Sequence, residues 1–157
     1  MPTIHEHIDI DVSPDAVWDV LADVSILPEL SSSTTEVVVD GPLRRVGQTF
    51  EQTVRLAGRR WRSTWRVDEL DPGRTLRISG SLPGGTPYRL TERLEPTSGG
   101  GTRLTIDADY DLPMGALGRL ADRLGVERRA RQELREVLDG VSRRGLDRAR
   151  SGAPRGA

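Results

Sequence analysis

From Thr3 to Val12 the chain alternates, with Ile4, Ile8 and Ile10 on one face and His5, His7, Asp9 and Asp11 on the other. A period of two predicts a half-buried strand. Ser13-Pro14-Asp15 then reads as a helix start: an N-cap serine, proline at the first helical position and an acid against the helix dipole. The helix sets Val17, Val20, Leu21 and Val24 on one side with Trp18 beside them, and a second short helix is predicted over 26–30, ahead of Ser31-Ser32-Ser33. Period two returns over 35–39, 49–56, 60–70, 75–82, 88–94 and 102–112. The breaks between these runs are Gly41-Pro42, Ala57-Gly58, Asp71-Pro72-Gly73, Pro83-Gly84-Gly85 and Ser98-Gly99-Gly100-Gly101. Connections this short predict hairpins, and hence one antiparallel meander. From Gly115 the period becomes helical: Leu117, Leu120, Ala121, Leu124, Leu134, Val137, Leu138 and Val141 form a stripe lasting to about Arg148. Residues 151–157 read as a disordered tail.

The order is strand, two short helices, six strands, one long helix. This is an α+β pattern, in which a curved antiparallel sheet of about seven strands wraps around the long C-terminal helix and buries its inner face there. A curved sheet gripping one helix leaves space between the two, and that space is a natural binding cavity.

Length and composition narrow the picture. At roughly 100–200 residues per domain, 157 residues predict a single domain, placed at 1–150. The absence of cysteine excludes disulfides, cysteine-ligated zinc, iron–sulfur clusters and thiol catalysis. No apolar run approaches the ~18 residues of a membrane helix, and no signal-peptide pattern opens the chain; the expectation is a cytoplasmic protein, a monomer or weak homodimer. All 23 basic residues are arginine, which reads as a GC-rich bacterial coding sequence. Charge is segregated: residues 1–40 carry nine acids and no arginine, whereas 117–157 carry eleven arginines against six acids. The arginine-rich helix is expected to dock near the acidic N-terminal segment. With a net charge of −1 and no basic stripe rich in aromatics, nucleic acid is not an expected partner.

The run Ile8-Asp-Ile-Asp-Val-Ser-Pro14-Asp-Ala-Val-Trp18-Asp-Val-Leu21-Ala-Asp23, together with Leu94-Glu95-Pro96 and Gly101-Thr102-Arg103-Leu104-Thr105, resembles the START-like, SRPBCC or polyketide cyclase/dehydrase superfamily. The resemblance spans about residues 3–148 and implies a helix-grip fold. It also implies one of several roles: lipid carriage, reception or sequestration of natural products, or aromatase/cyclase chemistry. Fold alone does not choose among them. Leu27-Pro28-Glu29-Leu30 is similar to the Trp-Pro-Glu-Leu of the aromatase/cyclase branch. That branch also has an inward Ser-x-Arg pair late in the strand matching 60–70 and a tyrosine after the second helix. Trp65, Val67 and Thr34 hold those places here. Valine can neither stabilise an enolate nor polarise a carbonyl, so cyclisation by that mechanism is not expected.

Alternation assigns the inner faces. Trp61, Ser63, Trp65 and Val67 oppose a charged face of Arg60, Arg62, Thr64, Arg66 and Asp68, so the first set points inward. The matching sets are Phe50, Gln52, Val54 and Leu56; Tyr88, Leu90, Glu92 and Leu94; and Leu104, Ile106, Ala108, Tyr110 and Leu112. Trp61, Trp65 and Tyr110 thus fall on inner faces, as an aromatic-ligand pocket requires. Glu92 is an inward carboxylate whose desolvation would raise its pKa, and Glu92 and Tyr110 are the candidate acid/base groups. On the long helix, Glu127 and Arg131 fall near the centre of the apolar stripe, between Leu124 and Leu134, as an i,i+4 pair. Arg131 and Leu124 are accordingly placed at the cavity, unless Gly125 kinks the helix and turns this stretch to solvent. Pro83-Gly84-Gly85 and Pro87 form a candidate lid. His5 and His7 with Asp9 and Asp11 read as a solvated strand face, not a metal site, and no cofactor is expected. The expected function is binding of a small hydrophobic ligand, aromatic, polyketide-like or lipid. The alternative is a polyketide cyclase or dehydratase using the same cavity.

Overall fold

A computed structural model describes residues 3–56, 58–82, 85–110 and 120–152, with the backbone alone at 82, 120–127 and 152. Strand β1 (Thr3–Ile10) leads into helix α1 (Pro14–Ala22), a 3-10 turn (Val24–Ile26) and helix α2 (Leu27–Leu30). Six strands follow: β2 (Thr34–Val38), β3 (Thr49–Leu56), β4 (Arg59–Asp71), β5 (Thr75–Leu82), β6 (Thr86–Pro96) and β7 (Thr102–Tyr110). Helix α3 (Leu120–Gly152) closes the fold and runs two residues into the stretch expected to be a tail. Residues 153–157, the lid residues Pro83 and Gly84, and Leu112 and Leu117 lie outside the described residues.

The sheet is antiparallel throughout, in the order β1-β7-β6-β5-β4-β3-β2. Strands β2 to β7 form the meander that the short turns require, and β1 closes against β7 with Ile4 opposite Ala108 and Ile10 opposite Thr102. This α+β architecture is a helix-grip fold. Its inner face is apolar: Ile4, Leu76, Leu104 and Ile106 from the sheet and Leu138 and Val141 from α3 are almost wholly buried. Each such aliphatic side chain contributes on the order of 1.5–3 kcal/mol.

Local sequence explains the helix ends and contacts. Ser13 caps α1, its hydroxyl accepting the Ala16 N–H at 3.4 Å, and Pro14 occupies the first turn. Helix α2 packs directly on α3 because Gly140 lies beneath it; a Cβ there would stand 2.7 Å from Leu30 Cδ2. The segregated charge also finds its use. Arg131 and Arg135 bridge Glu6 on β1 at 2.7 and 3.4 Å, Arg144 pairs with Glu29, and Arg148 stands 3.9 Å from Asp23. The arginine-rich helix thus docks on the acidic N-terminal segment. Carboxylates of the helix in turn hold the serine run after α2. Ser31 Oγ donates to Glu133 at 2.9 Å and Ser33 Oγ donates to the same carboxylate, while Ser32 donates to Glu136 through Oγ at 2.8 Å and through its N–H at 3.3 Å.

Candidate functional site

Between the concave face of the sheet and α3 lies a cavity of about 300 Å³, at the lower end of the ~300–1,000 Å³ of small-molecule sites. Strands β3 and β4 supply Phe50, Gln52, Val54, Leu56, Trp61, Ser63 and Trp65; β5 and β6 supply Leu76, Ile78, Tyr88, Leu90 and Glu92. The roof comes from Val20, Leu21, Leu27 and Leu30 and from α3 residues Ala130, Glu133, Leu134, Val137 and Val141, which recur at helical spacing. Gly85 of the expected lid also lines it.

One side of the wall is a row of rings. Phe50 lies opposite Trp65 in the β3–β4 register, and their rings stack at 6.3 Å and 11°. Trp65 meets Tyr88 edge to face at 5.7 Å and 83°, and Tyr88 stacks on Tyr110 at 6.5 Å and 28°. These are attractive ring geometries. Among the described residues the Trp65 indole N–H is the buried side-chain donor that lacks a partner. Burial pushes the Tyr88 phenol up, with Glu133 and Tyr110 adding to the effect, so the hydroxyl stays neutral.

The polar groups are unequally engaged. Gln52 Nε2 donates to Thr34 Oγ1 at 2.8 Å, and Glu133 accepts from Ser31 and Ser33. Glu92 differs. It is 9% exposed, no hydrogen bond or ion pair reaches it among the described residues, and burial pushes its carboxyl up to about 7. The register that keeps it inward is continuous along β6; the irregularities fall instead in β2, between Thr34 and Glu36, and in β4, between Val67 and Glu69.

The structure places Phe50, Gln52, Trp61, Ser63, Trp65, Tyr88 and Glu92 on the cavity wall. Two expected positions differ. Tyr110 faces inward but is not on the wall, because Tyr88, directly opposite it on β6, covers it. Arg131 is not on the wall either. Glu6, the inner-face acid of β1, draws its guanidinium to the β1 side of the helix. The side chains of Leu124 and Glu127 lie outside the described residues. The outward His5 donates from Nδ1 to the Asp107 carboxylate at 2.5 Å, and Asp107 also accepts from Arg93. Pattern reading missed Ser31, Ser33 and Glu133. The available signal was the position of Glu133 beside Leu134 on the helix stripe.

A model of the family described as polyketide cyclase/dehydrase and lipid transport matches residues 1–145. The chain belongs to that family. An uncharacterized protein of Mycobacterium tuberculosis is 29% identical over 142 residues, covering 84% of this chain and 96% of the relative. Among solved structures, the ZhuI aromatase/cyclase from Streptomyces sp. R1128 matches with a TM-score of 0.76 at 22% identity, covering 97% of this chain and 98% of that one. A protein of Thermus thermophilus matches with a TM-score of 0.75 at 21% identity, over 93% and 98% of the two chains. At these identities the structural likenesses establish the fold. Trp65, Val67 and Thr34, the residues read against the aromatase/cyclase branch's Ser-x-Arg pair and tyrosine, are all buried. No helix among the described residues is long and apolar enough to cross a membrane.

Proposed function

We propose that this protein binds a small, flat, hydrophobic ligand, aromatic or polyketide-like, in the cavity between sheet and α3, to carry or sequester it. The observation that carries this reading is the ring row of Phe50, Trp65 and Tyr88 on a cavity wall whose other residues are mostly aliphatic, with a few polar groups such as Gln52, Ser63, Glu92 and Glu133. Flat ligands gain both buried area and ring-on-ring geometry against such a wall. Buried Val67 and Trp65 supply no cation for a developing enolate, and Arg62, the lining arginine that alternation puts on the outer face, is exposed, which favours binding over cyclisation of the kind named for ZhuI.

Titration of the intact protein with a panel of aromatic and polyketide-like compounds, read by tryptophan fluorescence, tests the reading. Saturable quenching is expected from Trp61 and Trp65, and replacing both by phenylalanine should remove most of it, since Trp18 is not on the wall. A flat response across the panel from a normally folded protein would overturn it. The unpaired carboxyl of Glu92 favours a second reading, in which the bound molecule is also turned over by a cyclase or dehydratase reaction with Glu92 as acid/base. Product formation abolished in Glu92→Gln, with ligand still bound, would establish that reading.

A further inference from the structure

Three acids line the cavity, and two of them are engaged. Glu133 accepts from Ser31 and Ser33, and Asp23 accepts from Ser25 and faces Arg148. Glu92 has no such partner among the described residues. Its cross-strand neighbours on β5 and β7 are Leu76 and Ile106, both buried and apolar. An unpaired carboxyl in apolar surroundings is costly to bury, whereas leucine would fill the position without that penalty. Packing therefore does not account for the residue. Its carboxyl opens onto the cavity.

The position on the strand says what would meet it. Tyr88 lies four residues before Glu92 on the same face of β6, about 13 Å away at ~3.3 Å per residue. A fused ring system lying against Tyr88 and Trp65 and directed along β6 brings its far edge toward the carboxyl. We propose that Glu92 is the specificity group of this cavity, receiving the phenolic or enolic hydroxyl of a polycyclic aromatic ligand. Either protonation state of a carboxyl offers an acceptor oxygen, so the contact does not depend on which one is present. This inference rests on the binding function proposed above and adds the class of ligand: hydroxylated rather than plain aromatics.

The test compares 2-naphthol with 2-methoxynaphthalene, which share a ring system and differ in the O–H, by calorimetric titration of the full chain. At pH 8.5, where the carboxylate has no proton to give the ether oxygen, the naphthol is expected to bind about tenfold tighter or more, because a site built around a polar group rejects the analogue that leaves it unpaired. In Glu92→Leu the ether should still bind and the difference should vanish, with a melting temperature no lower than wild type. Equal affinities in the wild type, or a preference that survives in a folded Glu92→Leu, would overturn the role of Glu92 and leave the cavity reading standing. Binding of neither compound would overturn both. Should Glu92→Leu not fold, Glu92→Met takes its place in the same comparison.

Discussion

The indole of Trp65 lies over Gly80. A Cβ on that glycine would stand 2.8 Å from Cδ2 and 2.9 Å from Cε3 of the ring, well inside contact distance. Gly80 sits on β5, between the strand that carries Trp65 and the strand that carries Tyr88, and is paired with Tyr88 in the register. The missing side chain is what lets rings from two non-adjacent strands come within 5.7 Å of each other, although such strands run about 9–10 Å apart.

Gly80→Ala should therefore act on the ring row itself. The methyl must displace a packed indole, a kind of overpacking that costs about 1–3 kcal/mol. Urea unfolding followed by far-UV circular dichroism should show that loss, and near-UV spectra should show altered tryptophan bands. Gly99→Ala is the control, because nothing lies within 4 Å of its Cβ position. Equal behaviour of the two variants would refute the argument.

Glu92 predicts a pH dependence with a definite sign. Burial raises its folded-state pKa from 4.5 to about 7, so between those values the unfolded chain gives up a proton that the folded chain keeps. Stability should fall as pH rises through this window, by at most about 3 kcal/mol at 1.36 kcal/mol per unit. Unfolding of the wild type and Glu92→Gln at pH 5 and pH 8 isolates the contribution. The variant should lose less between the two, and it should be the more stable protein at pH 8. A wild-type change no larger than the variant's would show that the carboxyl is not desolvated.

Glu6 predicts the opposite slope at lower pH. Burial pushes its carboxyl up, but hydrogen bonds and charge from Arg131 and Arg135 outweigh burial and hold it below the ordinary value of 4.5. Its stabilisation is present above that value and is lost as the pH falls further. Glu6→Gln should cost about 1–3 kcal/mol at neutral pH, the scale of hydrogen bonds to charged groups, and should flatten the acid limb of the stability curve. Asp9→Asn, which removes an exposed bridge to Arg103, should cost distinctly less. If the two substitutions prove equivalent in urea melts, α3 is not held to β1 by this pair.

How far the sequence reaches is visible in particular residues. Side chains alternate along any extended strand, so the inward direction of Phe50, Gln52, Trp61, Ser63, Trp65, Tyr88 and Glu92 was legible from period two alone, as were the seven strands and their turns. The register was not, since it emerges from hairpin geometry and packing across many residues. Register is what sets Tyr88 in front of Tyr110, and Gly80 beneath Trp65.

Contacts between distant segments were equally out of reach. The order of charges along the chain announced that the arginine-rich helix would meet acids, but the choice of Glu6 for Arg131 depends on how α3 lies across β1. The same placement brings Glu133 to Ser31 and Ser33, about a hundred residues away in sequence. The sequence by itself determined which faces are buried, because hydrophobic periodicity is a local property. Only the tertiary structure decided which buried groups find partners and which, like Glu92, are left facing a cavity, because satisfying a polar side chain takes a second group brought from elsewhere in the chain.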